Sequence, residues 1–321
     1  MDLHHPDENT ILASVHDPRF PRAIRHPKAP PIKSQGIKTK LVPFILGSVR
    51  WEGAGRWVEP FLGSGAVLLN AAPPRALVAD TNKHLVRVYE AIQTGNLSPD
   101  RLKHFLQCEG NALLEKGEAH YYAVRERFNG EGSPYDFLFL NRACFNGMVR
   151  FNRKGGFNVP FCRKPDRFRP AYITKICNQV RWAASVMKDK DWTFVVQDWR
   201  TTLARVQAAD FVYVDPPYVG RHTDYYNNWS DSEALELASA LKALSVPFAY
   251  SMWKANKYRV NQHLVDEFTG YPIVTFEHFY HVGPTESLRN AMEEALIVSH
   301  SAVADRPWVK PAKPSQTTLS L

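Results

Sequence analysis

Asp215, Pro216, Pro217 and Tyr218 follow the apolar run Phe211–Val214, and together they form a set of groups able to do chemistry. A carboxylate and a carbonyl held rigid by adjacent prolines can accept both hydrogens of an amino group. The Tyr218 ring beside them can stack on a planar base. Such a set presents a nucleobase amine to an electrophile. In an open α/β sheet, ligands bind at the carboxyl ends of the strands, where a short apolar strand would leave Asp215. A strand followed by a Pro-Pro turn is also ordinary structure, so the tetrapeptide needs support from elsewhere in the chain.

That support comes from Glu59-Pro60-Phe61-Leu62-Gly63-Ser64-Gly65, which follows Trp57-Val58. The segment has the form strand, tight turn, helix start. Gly63 and Gly65 permit positive φ and close backbone approach. The helix start beyond them offers unpaired N–H groups to a polar ligand. No third glycine stands at the dinucleotide-binding spacing, which argues against a nicotinamide dehydrogenase. Ala76–Asp80 reads as a second strand ending in an acid. Asp80 can accept both hydroxyls of a ribose, or it can cap a helix starting near His84.

These segments need a frame. Further strands are expected at 193–197, 247–251, 273–276 and 294–298. Helices are expected at 84–94, 98–108, 118–128, 171–186 and 231–244, and at 37–49 despite Pro43. Strands alternating with helices imply an α/β fold, a doubly wound and mostly parallel sheet. The alternation breaks between about 97 and 190, where a helical insertion rich in arginine and aromatic residues is expected. Residues 1–30 read as a flexible basic arm and 304–321 as a flexible tail. That leaves 31–96 and 191–303 for the catalytic part.

Lys plus Arg number 40 against 32 Asp plus Glu, a net charge of +8 across 321 residues. That balance suggests a polyanionic partner without specifying one. Cys108, Cys144, Cys162 and Cys177 form no metal-binding spacing and read as reduced thiols; no metal is expected. No stretch reaches the length of a membrane span, and the N-terminus lacks an apolar signal core, so the cytoplasm is expected.

Within the insertion, Asn141–Asn152 and Gly155–Arg163 carry Phe145, Asn146, Arg150, Asn158 and Arg163. Arg can bind guanine bidentately, Asn can pair with adenine, and an aromatic can wedge between base steps. Phe145 can fill the gap left by a displaced base or lie in the core. Arg150 can read guanine or touch phosphate. Asn158 and Arg163 fit DNA contact or hairpin stabilisation equally well. Tyr280 and His281 fit a loop near DNA or a buried strand end.

Taken together, these motifs resemble the Dam-type DNA adenine methyltransferases over about 31–300. The resemblance implies a class I methyltransferase fold, S-adenosylmethionine as cofactor and double-stranded DNA as substrate. It assigns catalysis to Asp215, Pro216, Pro217 and Tyr218. It assigns the cofactor loop to Glu59, Pro60, Phe61, Gly63 and Gly65, the ribose to Asp80, and a position near the cofactor adenine to Asp198. Asn146–Asn152 is similar to the family's base-reading hairpin. Gly36 and Lys38 keep the family's opening motif, but Ser34 stands where the family has Trp. Lys38 is expected to reach the cofactor or target site. Residues 31–43, 136–142 and 277–283 carry a narrower likeness, to a member of the family that methylates the first adenine of GATATC. The resemblance further implies a monomer whose partner restriction endonuclease is genetic rather than physical. A GATC-specific methylase, an RNA adenine methyltransferase and an inactive DNA-binding regulator are the alternatives.

Overall fold

Seven strands form one sheet in the order β3-β2-β1-β4-β5-β7-β6. They are β1 (Trp57–Glu59), β2 (Arg75–Asp80), β3 (Asp191–Val196), β4 (Phe211–Val214), β5 (Phe248–Asn256), β6 (Ile273–Phe279) and β7 (Ala291–Val298). The computed structural model describes residues 20–21, 24–218, 229–256, 260–279 and 291–305. Pairing is parallel from β3 through β5, and β7 runs antiparallel between β5 and β6. The expected doubly wound, mostly parallel sheet is therefore present. Strand order reverses at β1, between β2 and β4, which opens a crevice beyond the carboxyl ends of β1 and β4. Glu59 and Asp215 stand at those two ends.

Ten α-helices flank the sheet among the described residues: α1 (Val42–Ser48), α2 (Ala66–Ala71), α3 (Lys83–Gln93), α4 (Pro99–Lys116), α5 (Glu118–Glu131), α6 (Pro134–Ala143), α7 (Pro170–Met187), α8 (Trp199–Leu203), α9 (Asp231–Lys242) and α10 (Gln262–Glu267). A 3-10 turn at Lys38–Leu41 leads into α1, and Pro43 falls in its first turn, where a missing N–H breaks no bond. Helix α4 runs well past the expected end at 108. Gly110 within it lies against Phe168, and Gly117 ends it with positive φ. Helix α6 was not expected as a helix. Every residue from Asp136 to Ala143 is buried, so it has no polar face and no helical period to read. Helices α8 and α10 are too short to show a period.

Alternation along β4 divides the core between the two faces. Phe211 and Tyr213 join an apolar cluster with α1, α2, α3, α6 and α7. Val212 and Val214 join a second cluster with Leu237 and Leu241 of α9 and Leu264 of α10. The insertion packs into the first cluster through Leu102, Leu106, Phe128, Phe139 and Ile176. It is thus fastened to one sheet face. Part of the expected N-terminal arm is packed as well. Phe20 lies edge-on to Trp51, and the Lys28 backbone exchanges two bonds of 2.9 Å with the Asn70 side chain.

Candidate active site

The end of β4 places Asp215 in the crevice, and Lys38 meets it there. Lys38 Nζ lies 2.8 Å from Asp215 Oδ1 and 4.8 Å from the centre of the Tyr218 ring. It also donates to the Gly36 carbonyl at 3.3 Å. Lys38 is only 5% exposed, so its charge is held within the site. Burial raises the Asp215 pKa, and the Lys38 ammonium offsets part of that rise. Tyr218 OH donates to Glu294 Oε2 at 2.6 Å, across from β7. Pro216 is buried and Pro217 half-buried, which fixes the backbone between the acid and the ring.

Glu59 ends β1 two residues after Trp57, so both side chains leave the same face of the strand. Trp57 Nε1 donates to Glu59 Oε2 at 2.9 Å. Burial pushes the Glu59 carboxyl up to about 8; the Trp57 bond opposes this and the nearby Asp215 adds to it. The loop Pro60–Gly65 then folds over the end of β2. Leu62 N donates to the Ala79 carbonyl at 2.9 Å, and Gly63 N to Asp80 Oδ2 at 3.0 Å. Asp80 Oδ1 accepts from Asn82 N at 2.8 Å. Burial lifts the Asp80 carboxyl to about 6 against those two backbone donors. Asn82, not Asp80, caps α3, with its side chain accepting from His84 N.

The two glycines of the loop do different work. Gly65 has φ +69°, and a Cβ there would stand 2.8 Å from the Tyr89 hydroxyl, which donates to the Ser64 carbonyl. Gly63 has φ +51° and open space where a Cβ would point. The loop is therefore tight against the core behind Gly65 and open to a bound molecule at Gly63. Phe61 stands half-buried, edge-on to Trp229 at 5.5 Å. Asp198 lies just beyond the end of β3 and caps α8, accepting from Thr201 N at 2.8 Å, which lowers its pKa. Glu59, Asp80 and Asp198 thus stand at the ends of three neighbouring strands. Among the described residues here, these carboxyl groups are acceptors for ribose hydroxyls and, when ionised, counter-charges for a cationic sulfonium. These residues fit S-adenosylmethionine.

The segment expected to read bases forms a hairpin from Cys144 to Phe161, with bridges Cys144–Phe161 and Phe151–Phe157. Its tip is an Asx turn: Asn152 Oδ1 accepts from Lys154 N at 2.9 Å and Gly156 N at 3.0 Å. Phe151 and Phe157 face inward. Phe151 stacks on His84 with ring centres 5.0 Å apart, and Phe157 meets Phe128 and Phe137 edge-on. Burial lowers the pKa of His84 to about 4, aided by Lys83 and Arg87, so it serves as a neutral aromatic. Phe145 does not join this core; it is 51% exposed, beside Asn146 with φ +54°. Arg150 Nε donates to Asn158 Oδ1 at 2.9 Å and Nη2 to the Asn158 carbonyl at 3.3 Å, so these two residues act as one unit. Arg163 is exposed with φ +58°. Tyr280 and His281 lie outside the described residues.

One segment joins hairpin to crevice. The Lys33 backbone exchanges bonds of 2.9 and 2.8 Å with the Asn141 side chain at the hairpin base. Five residues later Lys38 is at Asp215, a span of roughly 18 Å at most. Sequence reasoning missed Glu294, Trp57 and Tyr89. The pair Glu293-Glu294 before the apolar run Ala295–Val298 is the signal that could have drawn attention to Glu294, since successive strand residues face opposite ways and one of the two must turn inward.

A family model described as D12 class N6 adenine-specific DNA methyltransferase matches residues 34–282. The chain is 33% identical over 201 residues to a DNA adenine methylase of Serratia marcescens, covering 59% of this chain and 69% of that one. It is 32% identical over 195 residues to the retron Ec67 DNA adenine methylase of Escherichia coli, covering 58% and 64%. It is 29% identical over 210 residues to the DNA adenine methylase of Escherichia coli K12, covering 60% and 70%. The strand order, with an antiparallel β7, is that of the class I S-adenosylmethionine-dependent methyltransferases. With the family model spanning most of the sequence and the sheet in this strand order, the chain belongs to the D12 class of N6 adenine-specific DNA methyltransferases, which use S-adenosylmethionine as methyl donor.

Proposed function

We propose that this enzyme methylates the first adenine of GATATC in duplex DNA, after flipping that base out of the stack. A base amine inside a duplex cannot reach a deep crevice, so the base must leave the helix. One observation carries the reading. The Lys38 ammonium sits on Asp215 Oδ1 and near the Tyr218 ring, giving each the partner that an adenine amine and ring would give. The flipped base lies on Tyr218, where a base–aromatic stack contributes about 1–3 kcal/mol. The Asp215 carboxylate and the Pro216 carbonyl accept the two amino hydrogens and aim the nitrogen lone pair. The cofactor supplies the methyl group on a sulfonium. As the amine nitrogen turns cationic, Asp215 stabilises the charge and accepts the departing proton. Positioning accounts for the rest of the rate.

Residues 31–96 and 191–303 carry catalysis in this reading, and 97–190 carry recognition. Glu59, Pro60, Phe61, Gly63 and Gly65 hold the cofactor with Gly36 and Lys38 nearby; Asp80 takes its ribose and Asp198 lies near its adenine. Phe145 fills or wedges the gap in the duplex, and its exposure supports that role. Arg150 reads guanine, with Asn146, Asn158 and Arg163 beside it. GATATC rests on the likeness of 31–43, 136–142 and 277–283 to the EcoRV modification methyltransferase. The flexible central TA step adds readout through bending. The enzyme acts as a cytoplasmic monomer on half-modified DNA and protects the genome from a cognate endonuclease.

The test uses plasmid from a methylation-free host, treated with enzyme and cofactor and then challenged with GATATC-cutting or GATC-cutting nuclease. Protection at GATATC alone is expected, and Asp215→Ala should lose about 100-fold or more of the methylation rate, on the order of 3 kcal/mol. Protection of every GATC site, or continued cutting at GATATC, defeats the specificity. Normal single-turnover rates in Asp215→Ala defeat the assigned chemistry.

A further inference from the structure

Glu294 is a buried acid that no motif explains. It is 1% exposed, on β7, opposite Trp253 of β5 and Phe276 of β6. Its neighbour Glu293 makes an ordinary surface ion pair with Lys254 at 3.0 Å. Successive residues of a strand face opposite ways, so Glu294 points to the other side of the sheet. There its Oε2 accepts the Tyr218 hydroxyl at 2.6 Å, a short bond between residues 76 positions apart. Burying a carboxylate is costly unless it is hydrogen-bonded, and a neutral apolar residue would suit the strand better. The acid serves something other than packing.

The Tyr218 ring needs that partner. Its backbone is fixed by Pro216 and Pro217, but the side chain can still rotate about two bonds. The ring face has Lys38 Nζ on it at 4.8 Å, and the hydroxyl at the far end has Glu294. The hydroxyl lies on the axis of the second of these bonds, so holding it fixes where the ring reaches across the crevice, while the lysine on its face limits rotation about that axis; together they decide whether a flat base can lie parallel to the ring. We infer that Glu294 is a positioning residue for methyl transfer: through the Tyr218 hydroxyl it locks the ring in the orientation that receives the target base. This rests on the reading of Tyr218 as the base-stacking residue. Glu294 touches neither base nor cofactor in this scheme. Its loss therefore lowers the rate of the chemical step without weakening DNA or cofactor binding.

The experiment is a double-mutant cycle on the full-length enzyme with Tyr218→Phe, Glu294→Ala, Glu294→Gln and the two double variants. Single-turnover transfer of tritiated methyl to unmethylated plasmid DNA gives the rate, without assuming a recognition sequence. Titrations give the DNA and cofactor affinities. Tyr218→Phe and Glu294→Ala are each expected to slow transfer about tenfold, the loss of a bond to a charged group. Glu294→Gln keeps an acceptor oxygen and should lose about threefold or less. Neither Glu294 change should slow transfer further in the Tyr218→Phe background, and affinities should stay within twofold. Equal losses in both backgrounds, or a wild-type rate in Glu294→Ala, overturn the inference. Should Glu294→Ala fail to fold, the same cycle is read with Glu294→Gln: its loss must vanish in the Tyr218→Phe background. A Tyr218→Ala variant separates the two readings, because wild-type transfer by that enzyme removes the stacking role of Tyr218 itself.

Discussion

Arg150 and Asn158 show how a single residue's chemistry depends on its neighbour. Asn158 accepts from Arg150 through both its side chain and its carbonyl, which fixes the plane of the guanidinium before DNA arrives. A guanidinium held in plane suits bidentate contact with a guanine edge. Arg150→Ala is therefore expected to relax discrimination at one guanine by about 1–3 kcal/mol, more than it weakens nonspecific binding. Methylation rates on the correct site and on single-mismatch sites measure this. Equal losses on all sequences, together with a shallower salt dependence, would instead mark a phosphate contact. Lys38 illustrates the same point: its sequence neighbours say nothing of Asp215, yet the ion pair between them is central to the crevice.

The hairpin as an element is held by its inward aromatic face. Phe157 is buried against Phe128, Phe137 and Phe151, and its backbone N–H donates to Asn129 Oδ1 at 2.7 Å. Truncating such a residue leaves a cavity and costs about 3–5 kcal/mol. Phe157→Ala should lower thermal stability and loosen the hairpin from α3, α5 and α6. Site-specific methylation should fall, while S-adenosylmethionine affinity should hold, because the loop proposed to hold the cofactor lies between β1 and α2, away from the hairpin. Calorimetric titration with the cofactor and thermal melts of the same variant check both halves. A matching drop in cofactor affinity would show that the hairpin and the crevice unfold together.

For the whole molecule, the buried acids of the crevice make stability depend on pH. Glu59 is raised to about 8 and Asp80 to about 6, both above their unfolded values. Between the unfolded and folded pKa the folded state keeps a proton that the unfolded chain has lost. The contribution of these two acids is therefore full at low pH and falls as pH rises through that window, by up to roughly 1.4 kcal/mol per pH unit and group, while His84, lowered to about 4, acts in the opposite sense below its ordinary value of 6.5. Urea unfolding from pH 5 to pH 8 should show this decline, with Asp80 contributing up to about 6 and Glu59 up to about 8. Glu59→Gln has no carboxyl to ionise and should flatten the curve above pH 6. An unchanged slope in that variant would place the titrating group elsewhere.

The order of strands and helices was legible because it is local. Apolar runs ending in Glu59, Asp80 and Asp215, separated by helical periods, imply a parallel sheet with acids along one edge, and the sheet has that form. Gly63 and Gly65 were legible for the same reason, since positive φ is a property of a few consecutive residues. Helix α6 was hidden because burial on all sides erases the period that betrays a surface helix. The exposure of Phe145 was hidden too, since an aromatic in a hairpin can turn inward, as Phe151 and Phe157 do. Only the tertiary structure decided which distant groups meet. Strand order puts β1 beside β4, so Glu59 and Asp215 share one crevice, and the 31–38 segment returns Lys38 to it. The insertion of β7 between β5 and β6 carries Glu294 to Tyr218. Sequence fixes each residue's chemistry and its local backbone, but which carboxylate meets which ring depends on the path of the chain between them, and that path is set by packing the whole core.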